Sequence, residues 1–131
     1  EGDALSQSVR LVSKQIAFTS LVISYNENDV VIQEKLEQAE LGRRLSSFME
    51  KVREDVRINA SHISLYTALI HYCREKQYRH PVSVFSHELM PLCKISGSAT
   101  YHRSIRELHQ YGYIRYVPSY NHFLGSMVYL I

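Results

Sequence analysis

Apolar residues return every three or four positions along most of this chain, and every second position only near its end. Leu5, Val9, Val12 and Ile16 share one helical face, and Leu41, Leu45, Phe48, Val52 and Val56 repeat that spacing further on. Between them the polar cluster NEND at 26–29 reads as a turn and cap, with Asn28 or Asp29 placed to accept from the first free amides of a second helix. Together these make an N-terminal helical hairpin. The stretch 18–33 admits a second reading, because FTSLVISY and VVI are rich in β-branched residues and could pair as a small β-hairpin; length and periodicity favour the helix. The stripe Leu41, Leu45, Phe48 and Val52 either packs on the rest of the chain or pairs with a second copy, since one amphipathic face serves both uses. Arg43 and Arg44 beside Glu40 read as a solvated face with local ion pairs.

The second half packs its signals more densely. INASHISLYTALIHYCREKQ, 58–77, offers a cap at Asn59 or Ser61 and a wide apolar stripe of Ile63, Tyr66, Leu69, Ile70 and Cys73. Pro81 then forces the preceding residue out of helical geometry, and the following VSV predicts a short strand near 82–85. Ser86 is placed to cap a short helix, HELMPLCK, with Glu88 favourable at its start. Pro91 lies beyond the first turn, where it removes a hydrogen bond and crowds the turn before it, so a kinked or divided helix is expected. Gly97 in KISGS is the residue able to take a left-handed conformation in a tight turn between helices.

The helix that follows carries the chemistry. On a 100° wheel Tyr101, Ile105, Leu108 and the terminating Gly112 fall on one side, and Ala99, Thr100, Arg103, Arg106, Glu107 and Gln110 on the other. Small residues at its start let such a helix enter a major groove about 12 Å wide, and Arg and Gln can each form two bonds to a guanine or adenine edge. The plainer alternative is a solvated face with Arg103 and Glu107 as an i, i+4 ion pair. Beyond it, Ile114 and Tyr116, then Val128 and Leu130, alternate at period two around a loop containing Pro118, Asn121 and Gly125, which predicts two antiparallel strands. Helix, strand, helix, glycine turn, basic helix, strand, loop, strand is the order of a winged helix-turn-helix. In that arrangement the third helix (97–111) reads the major groove, and the loop touches the backbone or the neighbouring minor groove. The candidate DNA-binding residues are Lys94, Ser98, Thr100, His102, Arg103, Arg106, Gln110 and Arg115, with Tyr120, Asn121 and His122 from the loop; Tyr120 and Phe123 serve equally well as loop packing. The fold class is therefore mainly α with a small β-sheet (α+β). An N-terminal helical extension spans 1–57, with Leu41, Leu45, Phe48 and Val52 as candidate dimerisation residues, and a winged helix-turn-helix DNA-binding domain spans 58–131.

HISLYTALIHYC followed by SATYHRSIRELHQYGYIRYVPSYNHFLGSMVYL resembles small winged-helix DNA-binding proteins carried by bacterial mobile elements, in particular conjugative and mobilisable transposons. It is similar, more distantly, to the winged-helix modules of plasmid and phage replication initiators. The resemblance covers about residues 59–131, and TYHRSIRELHQYGYI is its most specific part. It implies DNA binding in the regulation, excision or replication of an element, and no enzyme activity. Pro91 departs from it, standing where the family tends to carry a better helix former.

Composition sharpens this only when the chain is divided. The net charge is +2, but residues 1–59 hold 8 Lys/Arg against 10 Asp/Glu, whereas residues 60–131 hold 7 against 3, with all 7 histidines and 9 of the 10 tyrosines. The basic, aromatic half is the one suited to a polyanion. Histidines close to phosphate gain charge as pH falls below about 6.5, so binding is expected to tighten from pH 8 to pH 6 if any lie there. No glycine-rich phosphate loop, HExxH, GxSxG or paired-cysteine motif occurs, and His102 and His109, seven apart on a helix, stand roughly 10.5 Å apart along its axis and cannot share a metal ion. The reading includes no enzyme, cofactor, metal or small-molecule substrate. Cys73 and Cys93 suit a reducing compartment as small apolar residues, and no run reaches the roughly 20 apolar residues of a membrane span, so the expected location is cytoplasmic. The chain opens at Glu1 rather than Met, which leaves the native N-terminus open. The expected partners are double-stranded DNA and a second copy of the chain, in a transcriptional regulator or a recombination or excision accessory factor. The competing class is a winged-helix protein-interaction or replication-organising module without base readout.

Overall fold

The computed structural model of the chain describes residues 27–77, 80–121 and 123–131. Among them run α1 (Glu27–Glu54), α2 (Ala60–Glu75), β1 (Val82–Val84), α3 (Ser86–Cys93), α4 (Ser98–Gln110), β2 (Ile114–Val117) and β3 (Ser126–Leu130). The protein is mainly helical with one small antiparallel sheet, an α+β arrangement. Strand order is β1–β3–β2, with Val82 opposite Val128, Ile114 opposite Leu130 and Tyr116 opposite Val128. No helix among the described residues is long and apolar enough to cross a membrane.

The chain forms two compact units, Glu1–Glu37 and Gln38–Ile131. In the first, the described residues 27–37 are the opening turns of α1, with Val31, Ile32 and Leu36 exposed. VVI at 30–32 is therefore helical. The predicted first helix around Leu5–Ile16 and the stretch 18–26 lie outside the described residues. Because α1 starts at Glu27, Asn28 and Asp29 sit inside its first turn rather than capping it.

The second unit begins well before residue 58, and the reason is hydrophobic. Leu41 and Phe48 are buried in the same core as Leu65, Tyr66, Leu69, Ile105, Leu108 and Val128, with Leu45 and Val52 packed against it. The Phe48 ring stacks on Tyr66 of α2 at 3.9 Å and meets Tyr113 edge-on at 5.2 Å. Polar ties fix both ends of this packing: Arg44 donates to the Leu130 carbonyl (2.8 Å), and the Tyr113 hydroxyl donates to Asp55 (2.6 Å). Of the stripe offered as a possible dimer seam, Leu41 and Phe48 are thus buried by their own chain and Leu45 and Val52 partly so, the intramolecular one of its two expected uses. Val56, the last position of the predicted stripe, lies past the helix end and is 99% exposed.

Asn59 is the cap of α2. Its side chain accepts from the backbone amides of Ser61 and His62, while the His62 ring accepts from the Asn59 amide, a reciprocal capping box with histidine in the usual glutamate position. The buried stripe of α2 is wider than predicted and includes Leu65, Ala68 and Tyr72. Pro91 does not divide α3. The helix runs unbroken because the exposed proline lies between two buried anchors, Leu89 and Cys93. Phe85, not Ser86, occupies its cap position. The left-handed residue after α3 is Lys94 (φ 59°, ψ 35°), whose amide bonds back to Met90, and this frees Gly97 to stay extended (φ −91°, ψ 124°) at the start of α4. Gly112 follows the last residues of α4 with φ +89°, the conformation a side chain disfavours, and the Tyr113 amide closes the turn on Leu108. Cys73 and Cys93 are both buried.

Candidate nucleic-acid interface

The α4 helix is held from below by Tyr101, Ser104, Ile105 and Leu108, all buried. Burial raises the Tyr101 phenol well above its usual range, so it stays neutral and acts as packing. Ser104, which the apolar pattern could not mark, is buried on the same face. The remaining anchor is polar. His62, 1% exposed, accepts from Asn59 at Nδ1, so its Nε2–H donates to Oε1 of Glu107 at 2.8 Å. This bond decides the charge of α4's outer surface: Glu107 turns inward to α2 rather than pairing with Arg103. Among the described residues, neither Arg103 nor Arg106 has an ion-pair partner.

Arg103, Arg106 and Gln110 accordingly stand exposed on one side of α4, with Thr100 half-buried near its start. Ser98 and His102 form a local pair at the first turn, the His102 Nδ1 lying 2.9 Å from the Ser98 carbonyl and 3.3 Å from its hydroxyl. Lys94 is exposed in the turn leading into α4.

A cleft of about 570 Å³ runs between α4 and the β2–β3 loop. Arg106, His102 and His109 line it from α4, His87 from the start of α3, Tyr116 from β2, and Tyr120 and Asn121 from the loop. No carboxylate lines it among the described residues. His109 is fixed there because its Nδ1 accepts the Tyr116 amide at 3.0 Å, leaving Nε2–H as the donor. His87, His109 and Tyr116 are absent from the sequence-derived site. The spacing of His109, three after Arg106 and seven after His102, was a usable helical signal, whereas His87 comes close only through folding.

The structure also separates residues that the sequence groups. Arg115 alternates with Ile114 and Tyr116 on β2, so it points to the other face of the sheet, where its guanidinium lies 5.0 Å from the Tyr129 ring. It does not join the α4 surface. His122 lies outside the described residues. Asn121 is occupied in shaping the loop, its Oδ1 accepting from the Phe123 amide and its carbonyl from the Leu124 amide. No three His, Cys, Asp or Glu side chains converge to hold a metal ion among the described residues. No family model, curated protein or solved structure matches the chain, so its role is read from its own residues.

Proposed function

We propose that residues from about 58 onward are a winged helix-turn-helix that reads double-stranded DNA, with α4 in the major groove and the β2–β3 loop as the wing. The observation that carries this reading is the unpaired outer face of α4: Arg103, Arg106 and Gln110 exposed, Glu107 withdrawn to His62. From Thr100 to Gln110 that face spans about 15 Å, the length of roughly four stacked base pairs. The element order and the β1–β3–β2 sheet support the same reading. Its biological setting is the one the family resemblance implies: a transcriptional regulator, or a recombination or excision accessory factor, of a mobile element.

Binding-site selection from randomised duplexes with the full chain tests this. The wild-type protein is expected to enrich one sequence. Arg103→Ala with Arg106→Ala should erase that preference, each lost two-bonded base contact weakening the chosen site by about 1–3 kcal/mol. Lys94→Ala should weaken all sequences alike and lower the salt slope by about one. Enrichment of nothing, with only weak binding lost near 0.2 M salt, would instead identify a protein-interaction or replication-organising module.

A further inference from the structure

We propose that His102 accepts a hydrogen bond from the exocyclic amine of a cytosine or an adenine in the major groove, beside a guanine held by Arg106; this rests on the DNA-binding reading above. In sequence a histidine on such a helix is ambiguous. A neutral imidazole carries one N–H and one lone pair, and either ring nitrogen can hold the proton.

The fold removes the ambiguity. His102 Nδ1 lies 2.9 Å from the Ser98 carbonyl oxygen, an atom that can only accept, so the ring proton sits on Nδ1. The Ser98 hydroxyl, farther off at 3.3 Å, can rotate to share that proton. The Tyr101 ring meets the imidazole edge-on at 5.1 Å and helps to hold its plane. Nε2, the ring nitrogen farther from the main chain, is thereby left as an acceptor. His109 supplies the contrast: its Nδ1 accepts the Tyr116 amide at 3.0 Å, so its Nε2–H donates. Two histidines of one helix thus present opposite hydrogen-bonding groups, and only His102 suits a donor.

Position makes that acceptor useful. At about 100° per residue, Arg106 lies only about 40° round α4 from His102 and one turn, about 6 Å, further along. His102 is half-buried, and both side chains line the same cleft. Arg103 and Arg106 can only donate, which matches them to the O6 and N7 acceptors of guanine and leaves base amines unread. Glu107, the other acceptor-only side chain on α4, is turned in to His62. The donors that bases offer in the major groove are the N4 amine of cytosine and the N6 amine of adenine. A fixed acceptor one turn from a fixed donor therefore selects an amine-bearing base within roughly two base pairs of the guanine.

The test uses the full chain at pH 8, where a histidine side chain is ordinarily neutral, and the duplex recovered by selection. His102→Ala is expected to lose preference at one position, an adenine or a cytosine in the wild-type site, and to keep preference at the guanine. Deleting only the amine there, with purine for adenine or pyrimidin-2-one for cytosine, should weaken wild-type binding roughly three- to tenfold. The same deletion should cost His102→Ala nothing further, and His102→Gln, whose amide oxygen can accept, should regain part of the sensitivity. Where the base is adenine, 7-deazaadenine keeps the amine, lacks N7 and should bind as tightly as the natural base. The altered duplexes are read with wild-type protein, so a misfolded variant cannot produce the result. Insensitivity to the amine at every adenine and cytosine of the selected site overturns the assignment alone, as does loss on deleting N7 in place of the amine. Failure of the wild type to select any duplex overturns the DNA-reading proposal, and this assignment with it.

Discussion

Single residues decide several junctions of this fold. Asn59 was readable as a cap because a short polar side chain before an apolar stripe has few other uses. Its partner His62 was not, since histidine closing a capping box and then reaching Glu107 45 positions away depends on two helices being brought together. The same limit applies to Lys94: a glycine three positions later looked the better left-handed residue, but the close of α3 on Met90 fixed the turn first. His80 yields a prediction at this scale. Its Nε2 accepts the Leu130 amide at 2.7 Å, and burial, with Arg44 nearby, lowers its pKa below the usual histidine value. The unfolded chain therefore takes up this proton before the folded one. The associated stability is present above about pH 6.5 and is lost as pH falls through the lower folded value. Thermal melts from pH 7.5 to 5.5 should show a steeper acid loss for the wild type than for His80→Gln, whose amide oxygen can still accept the bond. Parallel curves would rule the contribution out.

At the scale of elements, the period of the apolar pattern was enough for α2, α4 and the β2–β3 pair. The α4 helix is the clearest: the side predicted to be buried is buried, and Arg103, Arg106 and Gln110 are outside. Pattern alone misjudged α3, because the local penalty of Pro91 is real but is outweighed by burial of Leu89 and Cys93 on either side. That balance is measurable. Pro91→Ala restores a donor for the carbonyl four residues earlier and removes the ring's crowding, so it should raise stability by about 1 kcal/mol or more in urea titrations. A destabilised variant would mean that the proline instead holds the α3–α4 turn. Pattern also misplaced Arg115, for a different reason: strand alternation was legible, but which face of the sheet meets α4 depends on packing.

For the whole molecule, the decisive contact is α1 on the body of the chain. Among the described residues every core residue lies at or beyond Leu41, so removing residues 1–37 takes none of them away, whereas removing 1–57 takes away Leu41 and Phe48 together. Loss of a buried Phe alone costs about 3–5 kcal/mol, a fall in melting temperature of well over 10 °C for a domain this size. The chain 38–131 should therefore melt close to the full protein and 58–131 far below it or not cooperatively; equal melting of all three would refute this account of the core. Sedimentation of the same pair of longer chains locates any dimer. With Leu41 and Phe48 buried, Val31, Ile32 and Leu36 form an exposed apolar group on α1 before residue 38, and a dimer formed through them disappears on removing 1–37. Among the described residues, the amino-acid order by itself determined which segments are helical or extended, where most of them stop, and which side of α4 is basic, because those depend on spacing, backbone limits and residues a few positions apart. Only the tertiary structure decided that α1 completes the core, that Glu107 leaves the arginines unpaired, that Arg115 faces away, and that His87 and His109 join Arg106 in one cleft. Each of those facts is a meeting between distant parts of the chain, and no local preference encodes which surfaces will touch once water has been excluded between them.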